Sequence, residues 1–382
     1  MTSNSEAAPI KVTPWMALPG FKESYPGILA IVTIAVFCGV PGIPWPFTVH
    51  HLLGYIDHVL PPIYGKGLFL DLLHFNYVVI GLAIGIIIKN IFGVPKSWET
   101  GTTFTGVFLH TAIIMLGSQY MLRDMVKLGF TTVVIMVVFV FGSAILLVGM
   151  GKLFKLDNRL NGIMAAGFSM CGVTAAVATA PMVKAKSDQL TYVIACSVSF
   201  GIICMIGLPP LCRMLEVTQY SFGVLSATGV PNSAQDIATG FMYGFEGGKV
   251  AGFVNIGRVV LIPLGALFIY FMTTATELVG AKGSISVWGT IKEKFPVYVF
   301  GFAFIWTLNT MHFFPKPAVF AMEKVMIWFF TLSFIGLGLQ TNLADVKKAG
   351  LKGMMVGYAA GSIKLILALV VIVVLMRMGY MD

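Results

Sequence analysis

Long apolar runs follow one another along almost the whole chain, and the short segments between them carry most of the charge. A helix needs about 20 predominantly apolar residues to cross the hydrocarbon layer of a bilayer. Eleven runs are read as spans on that basis: 25–43, 71–92, 102–122, 130–151, 161–184, 190–212, 221–244, 253–275, 295–313, 319–342 and 351–376. Helices suit these runs because they satisfy every backbone N–H and C=O internally. Barrel strands would show segments of about ten residues alternating apolar and polar positions.

Two stretches break the pattern. Residues 221–244 (SFGVLSATGVPNSAQDIATGFMYG) are too polar and too interrupted by Gly and Pro for a plain lipid-facing helix. Residues 44–70, with Pro61 and Pro62 in tandem, form the longest non-spanning stretch and are expected along the interface. The predicted organisation is a cytoplasmic N-terminal segment over 1–24, one membrane domain over 25–376 and a short tail over 377–382. The first segment is polar and proline-bearing, so the first span is expected to act as an uncleaved insertion signal.

Composition agrees with the pattern. Of 382 residues 57% are hydrophobic and only 11% charged, against about 25% charged in soluble domains. The net charge of +9 is spread over short loops, with no basic block of the kind that binds nucleic acid. Its distribution favours a cytoplasmic N-terminus and an external C-terminus. The five cysteines (Cys38, Cys171, Cys196, Cys204, Cys212) fall in apolar segments without metal or redox spacing, so no disulfide frame and no metal site is read. His50, His51 and His58 cluster without carboxylates or thiols beside them. No zincin, hydrolase-elbow or Walker motif is present, which argues against an enzyme and against primary pumping.

An internal repeat is legible. LGSQYMLRDMVKLG (116–129) returns as LGLQTNLADVKKAG (337–350), offset by 221 and identical at seven of fourteen positions, among them Gly117/Gly338, Gln119/Gln340, Asp124/Asp345 and Lys127/Lys348. The segments before them also match, 78–96 against 298–316. Portions 71–151 and 295–376 are thus read as copies. If every intervening run crosses, the copies lie in opposite orientation, as in many alternating-access transporters. Convergence of two short loops on one pattern is the plainer reading.

Candidate chemistry gathers in two small-residue, polar clusters. In SMCGVTAAVATAP (169–181), Ser169, Cys171, Gly172 and Thr174 can mark a helix that unwinds and offers free N–H groups to an anion, or only close packing of two helices. In ATGVPNSAQDIATG (227–240), Gly229, Pro231, Asn232, Ser233, Gln235 and Asp236 supply ligating groups around a helix-breaking proline, or form an ordinary loop. Charges inside spans are costly and so are candidate functional groups. Arg258 can bind an anion as a planar fork or snorkel to the interface. Lys364 can bind anion, stand in for a sodium ion at the carbonyl ends of a broken helix, or pair with Asp236. His110 can carry protons or be a hydrogen-bonded interior histidine.

At these two clusters the chain resembles the YeiH-like family of bacterial inner-membrane proteins, which are called sulfate exporters. The family pattern S-x-C-G-x-S-A-x-x-A-x-A-P reads here from Ser169 through Cys171, Gly172, Thr174 and Ala175 to Pro181, with Thr174 for the usual serine. Its A-Q segment reads from Gly229 to Gly240 around Ala234 and Gln235, and its arginine matches Arg258. The resemblance runs from about residue 70 to the end. It implies the fold of the bile-acid/sodium symporter and sodium/proton antiporter superfamily, with two discontinuous helices near the midplane and a core domain moving against a panel domain. Pro231-Asn232 stands where the family has His-Glu, His110 where it has arginine, and Asp236 where it has an apolar residue.

The reading is therefore an all-α integral membrane protein of about eleven transmembrane helices in the bacterial inner membrane. Its expected work is secondary transport of a small anion (sulfate, an organic sulfonate or a carboxylate), with a channel or membrane-embedded sensor as the alternative. Expected partners are the anionic solute and membrane lipid, with a homodimer compatible and nucleic acid excluded. No cofactor is expected beyond a coupling ion, Na+ or H+. Asp236, Lys364 and His110 are assigned to coupling or charge compensation.

Overall fold

A computed structural model describes residues 21–38, 77–120, 122–273, 297–341 and 351–381, with Thr48, Val49, Leu52 and Tyr55. Most of the N-terminal segment, His50, His51, His58, Asp345 and Lys348 lie outside the described residues, as do the side chains of Asp124 and Lys127. The described residues are helical, with no strand among them.

The helices are α1 (Phe21–Cys38), α2 (Tyr77–Ile87, continued by a widened turn to Phe92), α3 (Lys96–Thr102), α4 (Thr105–Leu116, tightening over Gly117–Gln119) and α5 (Leu122–Leu153). There follow α6 (Asn158–Ala166), α7 (Val173–Thr179), α8 (Ser187–Met214), α9 (Gln219–Gly229) and α10 (Ser233–Tyr243). The last are α11 (Phe245–Val260), α12 (Ile262–Thr273), α13 (Tyr298–Thr310), α14 (Lys316–Gln340) and α15 (Leu351–Arg377).

Among the described residues five helical stretches are long and apolar enough to cross a membrane: Lys96–Gln119, Thr131–Leu153, Asp188–Met214, Lys316–Gln340 and Lys352–Arg377. The pair α11–α12 makes a sixth, bent by 52°. The bend falls where Pro263 lacks the N–H that would continue the ladder onto Val259. Exposed Val138, Ile203, Phe320, Ile366 and Val370 give these helices apolar outer faces, as lipid contact requires.

Two expected crossings are corrected. Residues 161–184 and 221–244 each fold back on themselves. A methyl group added at Gly162 would lie 3.0 Å from Val183, and one at Gly167 would lie 3.8 Å from the Ala176 methyl, so α6 and α7 run antiparallel. In the second hairpin, Gly223 of α9 and Gly240 of α10 both face the Gly247 carbonyl. The Phe222 and Tyr243 rings stack at 3.9 Å, and Ser226 Oγ donates to the Asp236 carbonyl at 2.6 Å. Hydrophobicity along the chain does not show whether such an arm turns back or continues, so each hairpin reads as one crossing in the sequence.

The repeat-related helices pack reciprocally. A methyl at Gly81 of α2 would meet Ile335 of α14 at 2.8 Å, and one at Gly301 of α13 would meet Ile114 of α4 at 2.9 Å. Asn90 Nδ2 donates to the Thr341 carbonyl at 2.9 Å, and Asn309 Nδ2 donates to the Tyr120 carbonyl at 3.1 Å. Ile114 and Tyr120 are the residues that the offset of 221 pairs with Ile335 and Thr341. Between α4 and α14 the directions oppose: Gln119 Nε2 reaches Val319 near the start of α14, whereas Gln340 Nε2 reaches Thr102 before the start of α4. These helices, with α1, form one group. The hairpins sit in the other, among α5, α8, α11, α12 and α15.

Candidate functional site

The hairpins enter from opposite ends of α8. Asp157, the cap of α6, accepts from Gln189 Nε2 at 2.8 Å and so ties the first hairpin to the beginning of α8. Arg213, near the end of α8, donates to the Met242 and Tyr243 carbonyls at 3.1 Å and ties down the base of the second. The 28 residues of α8 span about 42 Å at ~1.5 Å per residue. Each 11-residue arm of the second hairpin covers about 16 Å, or half of a ~30 Å apolar layer. Gln235 Nε2, one turn past the second tip, donates to Val198, close to the middle of α8, at 2.8 Å. The tips therefore lie halfway along the crossing helices.

At the first tip the helix widens over Gly167–Cys171, where the Gly172 N–H reaches back to the Gly167 carbonyl at 2.8 Å. Gly172 then reverses the chain at φ 59°, ψ −104°, a conformation open to glycine and strained for any residue with a Cβ. At the second tip Val230, Pro231 and Asn232 separate α9 from α10, and Asn232 Oδ1 caps α10 by accepting from the Ala234 N–H at 3.0 Å. The tips touch: a methyl on Gly172 would lie 3.1 Å from Asn232 Cα.

A helix that stops leaves its last carbonyls without intrahelical partners and its end partially negative. Both first arms end this way, and each meets a buried cation. Lys364, at the centre of α15 and 2% exposed, donates to the Phe168 and Ser169 carbonyls at 3.0 and 3.3 Å. Arg258, 1% exposed, donates through Nη1 to the Val230 carbonyl at 2.7 Å. Its Nη2 donates to the Asp236 carboxylate and, at 3.2 Å, to Asn255 Oδ1. Ser233 Oγ also donates to Asn255 Oδ1, at 2.8 Å.

These contacts sort the expected site residues. Ser169, Cys171, Gly172, Asn232, Ser233, Asp236, Arg258 and Lys364 converge at the tips. Arg258 is neither snorkelling nor an open fork, since protein acceptors hold both of its terminal nitrogens. Asp236 pairs with Arg258, and no ion pair joins it to Lys364 among the described residues. Lys364 instead stands at a carbonyl end. Gln235 is turned away onto α8, Gly229 packs against Leu365, and Thr174 is exposed on the outer side of the first tip. His110 stacks on Tyr298 at 4.2 Å, and the Tyr298 hydroxyl lies within electrostatic reach of Cys171, Asp236 and Arg258.

Two participants were not read from the sequence. Asn255 was within reach of reading, as a polar residue three positions before Arg258 on the same helical face. Tyr298 was not, because a tyrosine near the start of an apolar run reads as an interface anchor.

Among the described residues, Ser169 Oγ, Asp236 Oδ1, Asn255 Nδ2 and Arg258 Nε are buried without a hydrogen-bond partner. Buried polar atoms are nearly always bonded, so four in one cluster mark a place prepared for something else. The cluster carries two cations against one carboxylate.

The profile of the family described as conserved hypothetical protein 698 matches residues 26–357. A UPF0324 membrane protein of Nitratidesulfovibrio vulgaris is 34% identical over 356 residues, covering 93% of this chain and 94% of that protein. A second from the same organism is 34% identical over 320 residues, covering 80% and 86%. One from Clostridium tetani is 24% identical over 339 residues, covering 85% and 93%. No solved structure matches the chain. The chain is thus a multi-pass, all-helical membrane protein that belongs to the conserved hypothetical protein 698 family.

Proposed function

We propose that this protein is a secondary transporter that moves a small anion, such as sulfate, an organic sulfonate or a carboxylate, by alternating access across the bacterial inner membrane. The observation that carries this reading is the meeting of two hairpin tips, entering from opposite ends of α8, at a cluster with surplus positive charge and unsatisfied donors. Broken backbone at membrane depth is tolerated where it lines a path or is buried in protein, and transporter sites are commonly built this way.

Ser169 Oγ, Asn232, Ser233 and the Asn255 amide are the neutral ligands in this reading. Lys364 and Arg258 supply the field that favours an anion. The reciprocal packing of α2 on α14 and α13 on α4, with α4 and α14 antiparallel, supports an inverted repeat. The α1–α2–α4–α13–α14 group then serves as the panel against which the hairpin-bearing core moves. Tyr298 and His110 stand on the panel side of that boundary and close the site. Transport needs no enzymatic step, and the N-terminus lies in the cytoplasm.

Flux in proteoliposomes tests the proposal. A carrier gives saturable uptake of labelled sulfate or of a competing sulfonate or carboxylate, accelerated by unlabelled anion on the opposite side. Passive, non-saturating conductance would identify a channel. Binding without flux would identify a sensor.

A further inference from the structure

We infer that Lys364 is a tethered cation occupying the position that a bound metal cation takes at the broken helices of other carriers, so that this protein works without sodium. The inference rests on the transporter reading and deepens it by naming what the cycle does not require.

Carbonyl ends of interrupted membrane helices are the usual ligands of coupling sodium ions. Here both such ends are occupied by the protein's own cations. At the first tip the Lys364 ammonium bonds two successive carbonyls, Phe168 and Ser169, at 3.0 and 3.3 Å. At the second, Arg258 bonds the Val230 carbonyl at 2.7 Å. The two cations are not equivalent. Arg258 is neutralised by Asp236, whereas no carboxylate lies within ion-pair distance of Lys364 among the described residues. The charge of Lys364 is balanced instead by carbonyl dipoles, as that of a bound alkali ion would be. Its position at the middle of α15, 2% exposed, excludes a surface role. Removing the ammonium leaves the Phe168 and Ser169 carbonyl oxygens turned toward the point it vacates, a pair of backbone oxygens suited to a monovalent cation.

The test compares thermal unfolding of purified wild type, Lys364→Ala, Lys364→Gln and Lys364→Arg in NaCl, LiCl, KCl and choline chloride at equal ionic strength. Wild type and Lys364→Arg are expected to melt at the same temperature in all four salts. Lys364→Ala is expected to melt lower in choline and to recover several degrees, saturably, in one of the alkali salts, since a ligand that binds only the folded state raises its melting temperature. Lys364→Gln, which keeps a neutral donor, is expected between the two. A saturable, sodium-specific rise in wild type overturns the inference. So does a folded Lys364→Ala that responds to none of the cations.

If neither neutral variant folds, anion counterflow by wild-type proteoliposomes with choline replacing sodium on both sides decides. An unchanged rate supports the inference, and a loss of more than about tenfold, worth ~1.4 kcal/mol, overturns it. Absence of flux in every salt, with the unfolding results as expected, would remove the transporter reading and leave the tethered cation standing.

Discussion

Arg258 and Asp236 form a buried ion pair that joins α11 to the second hairpin, and this pair changes what removal of the arginine does. Arg258→Ala leaves the buried Asp236 carboxylate and the Val230 carbonyl without the donor they share. Breaking one side of a buried pair costs about 3–5 kcal/mol, far more than replacing both. The single variant should therefore fold poorly, with a lower melting temperature in detergent, and Asp236→Ala alone should also lose stability. The double variant should recover part of the loss. Additive losses in that cycle would mean that the two side chains do not act as a pair.

Gly172→Ala should damage the site with little general unfolding. The substitution places a Cβ at φ 59° and 3.1 Å from Asn232 Cα, a strain of about 1–3 kcal/mol at the contact between the tips. Anion affinity should fall at least about tenfold, which corresponds to ~1.4 kcal/mol. Gly106→Ala in α4, where no atom lies within 4 Å of the added methyl, is the control and should bind as wild type.

Gly81→Leu and Gly301→Leu should destabilise the protein by similar amounts, about 1–3 kcal/mol each by overpacking. Gly81 faces Ile335 and Gly301 faces Ile114 in reciprocal contacts. Melting temperatures of the two variants test the symmetry directly. A large loss at one glycine and none at the other would contradict it.

Thiol labelling should report which side of the first tip is open. All five native cysteines are buried, so wild type should react little with a bulky hydrophilic maleimide. Thr174→Cys should add one reactive site, because Thr174 is exposed. Ser169→Cys, on the buried side of the same tip, should not. Protection of the thiol in the Thr174→Cys variant by a transported anion would further place the solute beside it.

The helical membrane class is legible in the chain because span length follows from bilayer thickness, and the two polar interruptions are legible because they are too costly to leave in lipid. The course of 161–184 and 221–244 is not legible. Hydrophobicity reports depth but not direction, and a short arm that turns back has the same composition as one that continues. The sequence repeat also does not extend to the hairpins, because the second hairpin lies earlier in the chain than the offset of 221 would place a copy of the first. Side-chain direction decides the remaining errors. Gln235 and Asp236 are neighbours on α10, yet one reaches α8 and the other Arg258. Thr174 and Ser169 sit on opposite sides of one turn. Only the packed neighbours fix such choices.

The reciprocal packing has a consequence for biogenesis. Asn90 and Thr341 are 251 residues apart, and a ribosome making about 5–20 residues per second reaches the second roughly 12–50 s after the first. Through that interval the glycine-lined face of α2 that α14 will cover has no α14 to pack against, and the bond from Asn90 to the Thr341 carbonyl cannot form. A nascent chain halted between the two is thus an exposed, partner-seeking intermediate. Membrane chaperones and quality-control proteases would meet it at that stage of synthesis.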